Sequence, residues 1–278
     1  MLKNISKCII PLISILFFLS CSTSNRNHVK SDQEQKAELY YDYGTKYLVD
    51  RDYTKALTNL RKALSFSEND SKIHNNLGMA YFFKKNMDKA LFHLKKSVEL
   101  DKKNSDARNN LASIYFYQKK YKQAYQQYLI VLKNLEYNQQ YRTHYNLALI
   151  DLKFKRYQKA LTRLGKSVKE NPDYCPAHYQ LGLYNQNNGQ LNQALEHYNN
   201  GTKGVCLNNP APHFQKSLVL IKLGKDQKAL FSLRSIMERF PKSRYSILAK
   251  RKLQSLNINK FRHTKNAKRD IIDVNNKL

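Results

Sequence analysis

Six alanines, Ala56, Ala90, Ala124, Ala160, Ala194 and Ala229, follow one another at spacings of 34, 34, 36, 34 and 35 residues. The segments around them resemble one another: YTKALTNL, MDKALFHL, YKQAYQQY, YQKALTRL, LNQALEHY and DQKALFSL. A period of this length restricts the chain to a stack of small units, because no unit buries its own apolar face without a neighbour. Twelve residues before each alanine stands another small residue, in Tyr43-Gly44, Leu77-Gly78, Leu111-Ala112, Leu147-Ala148 and Leu181-Gly182; only Lys216-Ser217 of the sixth unit departs. Two small residues at that interval predict two antiparallel helices per unit, crossing where only a small side chain fits. One turn after each alanine, Leu60, Leu94, Tyr128, Leu164, Tyr198 and Leu233 are expected to fill the space toward the next unit. Asn171-Pro172 and Phe240-Pro241 stop helices where a turn is needed.

Six units of this kind, spanning roughly Ala37 to Pro241, resemble the tetratricopeptide repeat. The resemblance implies an all-α superhelix of helix-turn-helix repeats near 37–70, 71–104, 105–140, 141–174, 175–209 and 210–242. A capping helix is expected at 243–256, where Tyr245, Leu248, Ala249, Leu253 and Leu256 form one apolar stripe beside Lys250, Arg251 and Lys252. Residues 257–278 read as a basic tail.

The other end carries a different signal. Met1 to Lys7 is basic, Cys8 to Leu19 is an apolar run broken only by Pro11 and Ser14, and a polar stretch follows. This is the shape of a signal peptide, too short for a spanning helix of about 20 apolar residues. Phe18-Leu19-Ser20-Cys21 resembles the lipobox of bacterial lipoproteins, although Phe18 replaces the usual leucine. The resemblance implies cleavage after residue 20, lipidation of Cys21, a tether over 21–36, and, through Ser22, delivery to the periplasmic face of the Gram-negative outer membrane. Cys175 and Cys206 are then the remaining thiols, in a space that permits disulfides. They open and follow the two helices of the fifth unit, so they can pair and close a loop of about 30 residues; two unpaired buried thiols are the alternative.

The net charge of +28 would ordinarily suggest nucleic acid. Export argues against that partner, and helices solvated by lysine account for the charge. Gly165-Lys166-Ser167 lacks the glycine a phosphate-binding loop needs five residues earlier, where Ala160 stands. The eight histidines form no HExxH pair, and each reads as a packing or surface residue. No nucleophile or carboxylate constellation stands out, so the chain reads as a non-enzyme, with no metal or cofactor expected.

Binding surface remains. In the fold implied by the repeat, the first helix of each unit lines a concave groove, which places Tyr41, Leu48, Asn75, Met79, Phe82, Phe83, Asn109, Phe116, Tyr117, Tyr145, Leu149, Tyr179, Leu183, Phe214 and Leu218 there. Aromatic and amide side chains suit a polypeptide partner. The Lys and Asn clamp by which some repeat proteins hold a C-terminal carboxylate is absent.

A lipobox, a short tether and six such repeats resemble the type IV pilus biogenesis and stability lipoproteins, the pilotins of the PilF, PilW and Tgl kind. The finer likeness lies in QKKYKQAYQQYLIVL, in the lengthened connection LEYNQQYRTHYNLALIDL and in ERFPKS. It implies a protein that binds subunits of the outer-membrane secretin and promotes their localisation and multimerisation. The alternative is another envelope adaptor, serving peptidoglycan synthesis or outer-membrane protein assembly through the same groove.

Overall fold

The computed structural model describes residues 30–256, and these are helical throughout apart from turns. Six antiparallel pairs follow in chain order: α1 (Asp32–Val49) with α2 (Tyr53–Phe66), α3 (Ser71–Phe83) with α4 (Met87–Leu100), and α5 (Ser105–Tyr117) with α6 (Tyr121–Val131). Then come α7 (Gln140–Lys153) with α8 (Tyr157–Glu170), α9 (Cys175–Asn187) with α10 (Leu191–Gly201), and α11 (Pro210–Lys222) with α12 (Asp226–Arg239). A 3₁₀ turn at Gly204–Cys206 precedes α11, and a last helix, α13 (residues 244–256), covers the end of the stack. The signal segment, Cys21 and the basic tail lie outside the described residues.

The first helix begins at Asp32, inside the stretch expected to be tether. A reciprocal cap explains the early start: the Glu34 amide donates to Ser31 Oγ, and Ser31 N donates to Glu34 Oε2 at 2.7 Å. Asp52 and Asn86 cap the second helices of the first two units with their own side chains, and Asp70 and Asn104 cap the first helices of the second and third.

Within every pair the alanine is fully buried. The large residue one turn later sits over the small residue of its own unit, as well as reaching the next. A Cβ added at Gly78 would stand 2.6 Å from Leu94 Cγ, and one at Gly182 would stand 2.6 Å from Tyr198 Cε1. Space at the crossing therefore dictates these glycines. Tyr128 and Tyr198, each almost wholly buried, satisfy their hydroxyls within their units, against Ser113 Oγ at 2.9 Å and Gln186 Oε1 at 2.7 Å.

Two units are finished differently. In the fourth, fully buried Asp151 accepts from Arg163 Nε at 2.8 Å and pairs with Arg156 at 2.9 Å, while Arg163 also donates to Tyr125 Oη of the preceding unit at 2.8 Å. In the fifth, Cys175 and Cys206 are joined as a disulfide with Cα atoms 6.0 Å apart.

The turns inside the pairs share a further feature. The residue that closes the first helix in left-handed backbone is Arg51, Lys85, Lys119 and Lys155 in the first four units, and Gly189 and Gly224 in the last two. A left-handed side chain costs about 1 kcal/mol that glycine avoids.

Candidate protein-binding groove

The first helices touch one another directly, α1 with α3, α3 with α5, α5 with α7 and α9 with α11, whereas the second helices do not pack together to the same degree. The inner, concave face is therefore made by the odd-numbered helices, and their side chains decide what can enter.

Along that face runs a ladder of amides and hydroxyls. Asn110 Nδ2 donates to Asn75 Oδ1 (2.9 Å), Asn75 Nδ2 to Asn76 Oδ1 (3.0 Å), and Asn76 Nδ2 to Thr45 Oγ1 (2.8 Å). The ladder crosses three units from α5 to α1. Tyr41 lies at its head, its phenol pKa raised chiefly by burial. Each amide keeps hydrogen-bonding capacity beyond these contacts, so a peptide backbone can exchange for or extend the ladder without leaving a buried polar group unpaired.

Of the residues expected to line the groove, Tyr41, Asn75, Met79, Phe82, Phe116, Tyr145 and Tyr179 are half-buried, and Phe83 and Tyr117 are exposed. Two expected positions are withdrawn from the surface. Asn109 is 1% exposed and accepts from Thr143 Oγ1 at 3.2 Å, tying α5 to α7. Phe214 is buried against Tyr245 of α13, with ring centroids 5.7 Å apart, and Leu218 packs in the same cluster. The capping helix thus occupies the groove positions of the sixth unit, and the open groove ends at the fifth. Tyr145 packs edge-on to Tyr174 at 5.4 Å, and burial raises its pKa, as it does that of Tyr179.

The lengthened connection between the third and fourth units forms one wall of a cavity of about 890 Å³ at the rim of the groove, lined also by Tyr41, Asn75, Asp106 and Arg108. Tyr137 anchors this wall by donating to Asp106 Oδ1 at 2.7 Å, and Asn134 Nδ2 donates to Ser105 Oγ at 2.9 Å. Burial and the neighbouring Asp106 carboxylate push the Tyr137 hydroxyl well above its ordinary value.

Sequence reasoning missed two histidine pairs. His74 and His93 face each other through Nδ1 atoms 2.9 Å apart, and His178 and His197 do the same at 3.0 Å. In each pair the first ring is oriented by a backbone carbonyl six residues earlier, Glu68 O at 3.1 Å and Pro172 O at 2.8 Å. The available signal was the shared separation of 19 residues in the second and fifth units. One Nδ1 must donate and the other accept, so the bond requires an unprotonated acceptor. Burial first, then the facing His74, lowers the His93 pKa to about 4, and burial likewise lowers His197. Among the described residues no group of three or more His, Cys, Asp or Glu side chains is placed to hold a metal ion, and no helix is long and apolar enough to cross a membrane.

Family models of the tetratricopeptide repeat match residues 71–104, 93–126 and 213–243. A search of curated proteins found no match by sequence. Among solved structures the chain is similar to PilF of Pseudomonas aeruginosa, at 20% identity and a TM-score of 0.67, over 81% of this chain and 99% of that one. It is similar also to PilW, described as a widely conserved type IV pilus biogenesis factor, at 18% identity and a TM-score of 0.64, over 80% and 98%. A tetratricopeptide repeat protein from Parabacteroides merdae matches at 16% identity and 0.55, over 82% and 89%.

Proposed function

Starting from an all-α tetratricopeptide-repeat superhelix, we propose that the chain is a pilus-related adaptor of the outer membrane, which binds secretin subunits and promotes their localisation and multimerisation. The observation that carries this reading is the extent of the likeness to PilF: 99% of that chain is matched by 81% of this one. The groove supplies the binding element. Its amide ladder offers donors and acceptors to a backbone, and Phe82, Phe116 and Tyr145 offer apolar area at little rotamer cost. The lipid expected on Cys21 supplies the place, turning a three-dimensional search for subunits into a search across a surface.

Deletion of the gene is expected to abolish detergent-resistant secretin multimers on a gel, and normal multimers would refute the reading. Cys21→Ala is expected to preserve secretin binding but to leave the secretin away from the outer membrane. Photocrosslinking from Phe82 identifies the occupant of the groove directly.

A further inference from the structure

The turns within the second, third and fourth units lie side by side along one edge of the superhelix, joined by aromatic contacts. Phe83 stacks on Tyr53 at 4.7 Å, Phe82 meets Tyr117 edge-on at 5.4 Å, and Tyr121 bridges Phe116 at 5.4 Å and Phe154 at 5.6 Å. Part of this aromatic surface is open to solvent: Phe83 is 44% exposed, Tyr117 66% and Phe154 54%.

Over residues 84–89, 119–122 and 153–159 the same turns present nine exposed lysines against one carboxylate, Asp88. Among the described residues none of these lysines forms an ion pair. The turns between units are balanced instead, with Glu68, Asp70, Asp101, Glu136 and Asp173 beside Lys102, Lys103, Lys133, Lys203 and Lys242. An excess of positive charge thus stands at the turns within the second, third and fourth units that the turns between units lack.

The backbone points the same way. Lys85, Lys119 and Lys155 occupy left-handed positions that the fifth and sixth units give to Gly189 and Gly224. Fold geometry alone favours glycine at all of these turns, so the cations hold these places against a local preference. The fifth unit, with Asn187, Asn188, Gly189 and Gln190, shows how the turn is made without any charge.

We propose that this edge is a second binding surface, adjoining the groove at Phe83 and Tyr117, which docks on the anionic headgroup face of a phospholipid bilayer. Lysines attract phosphate, and the half-exposed rings of Phe83, Tyr117 and Phe154 enter the interfacial layer beside it. The edge is a row of projecting turns, suited to a broad surface, whereas a peptide is held by the concave face. Docking there fixes how the groove is presented to partners that approach along the membrane. The lysines of the turns are not among the groove positions, so the charge that carries the proposal does not depend on what the groove binds.

The chain contains no tryptophan, so a single introduced one reports its own surroundings. In the full chain mixed with vesicles containing phosphatidylglycerol, Tyr117→Trp is expected to shift its emission to shorter wavelength and to be quenched several-fold more by headgroup-labelled lipid than Leu135→Trp, which lies on the opposite edge. Replacing Lys85, Lys119 and Lys155 together by glycine relieves the backbone and leaves the fold intact. It is expected to weaken the vesicle response on the order of 100-fold, at about fivefold per surface cation. Equal quenching at the two positions, an undiminished response to uncharged phosphatidylcholine vesicles, or an unaltered triple-glycine variant overturns the proposal. So does a Tyr117→Trp signal that responds to polyglutamate and not to vesicles, which would make the partner an acidic protein.

Discussion

The second and fifth units have the same interior and different exteriors. Both cross at a glycine, Gly78 under Leu94 and Gly182 under Tyr198, and both clip their two helices together with a histidine pair. Yet the second closes its turn with Lys84-Lys85-Asn86, and the fifth with Asn188-Gly189-Gln190 and a disulfide at its far end. The interior is held to one solution by close packing, which tolerates little change in volume. The exterior is free to vary, so where it runs against the local backbone preference, as at Lys85, it carries information about a partner.

The largest expected break in that comparison comes from reduction. Opening Cys175–Cys206 is expected to lower stability by about 4 kcal/mol in the chain-entropy picture. Because a repeat array opens locally, amide-exchange protection is expected to fall in α9 and α10 and to persist in α3 and α4. Uniform loss across the chain would instead show one global cooperative unit.

A smaller effect tests the shared crossing. Gly78→Ala and Gly182→Ala each force a Cβ against a buried side chain and are expected to cost about 1–3 kcal/mol by urea unfolding. The cost is expected to be larger at Gly182, because the Tyr198 ring is held by its bond to Gln186 and yields less than the branched end of Leu94.

Acid sharpens the likeness between the units. The folded-state pKa of His93 is depressed to about 4 from an ordinary 6.5, so the unfolded chain binds more protons between those values. The histidine contribution is complete above about pH 6.5 and declines as pH falls toward 4. The Tm is expected to drop by several degrees over that range, and His93→Asn is expected to flatten part of the profile. Burial lowers His144 to about 4 as well, so that variant should leave a residual slope.

The smallest expected effect concerns the turns themselves. Lys85→Gly is expected to stabilise by about 0.5–1 kcal/mol and Gly189→Lys to destabilise by about 1 kcal/mol, read from paired urea curves. Equal and negligible changes would remove the backbone argument for a selected cation at residue 85.

Much of this architecture was legible in the chain. The alanine period and the small residue twelve positions earlier specified paired helices, their order and their close crossings, because a crossing of two backbones admits few side chains and leaves its mark at fixed intervals. The apolar stripe from Tyr245 to Leu256 specified the cap. The groove was legible only in part. Asn109 and Phe214 occupy the same register as the half-buried Tyr41, Asn75, Tyr145 and Tyr179 of other units, and their fuller burial depends on Thr143 from the next helix and on where α13 comes to rest. The helical start at Asp32 has its one signal in the Ser31-x-x-Glu34 spacing of a capping box, with no apolar period beside it to announce a helix.

The sequence by itself determined the repeat, its helical content and the run of cations, since these are properties of local spacing and composition. Only the tertiary structure decided which of those groups meet. It put two histidines 19 residues apart within 2.9 Å, set Asp151 between two arginines, and gathered three lysine-bearing turns on one edge. The physical reason is twofold: antiparallel pairing brings together side chains 12 to 19 residues apart within a unit, and stacking converts a linear period into a lateral array, so residues one repeat apart also become neighbours.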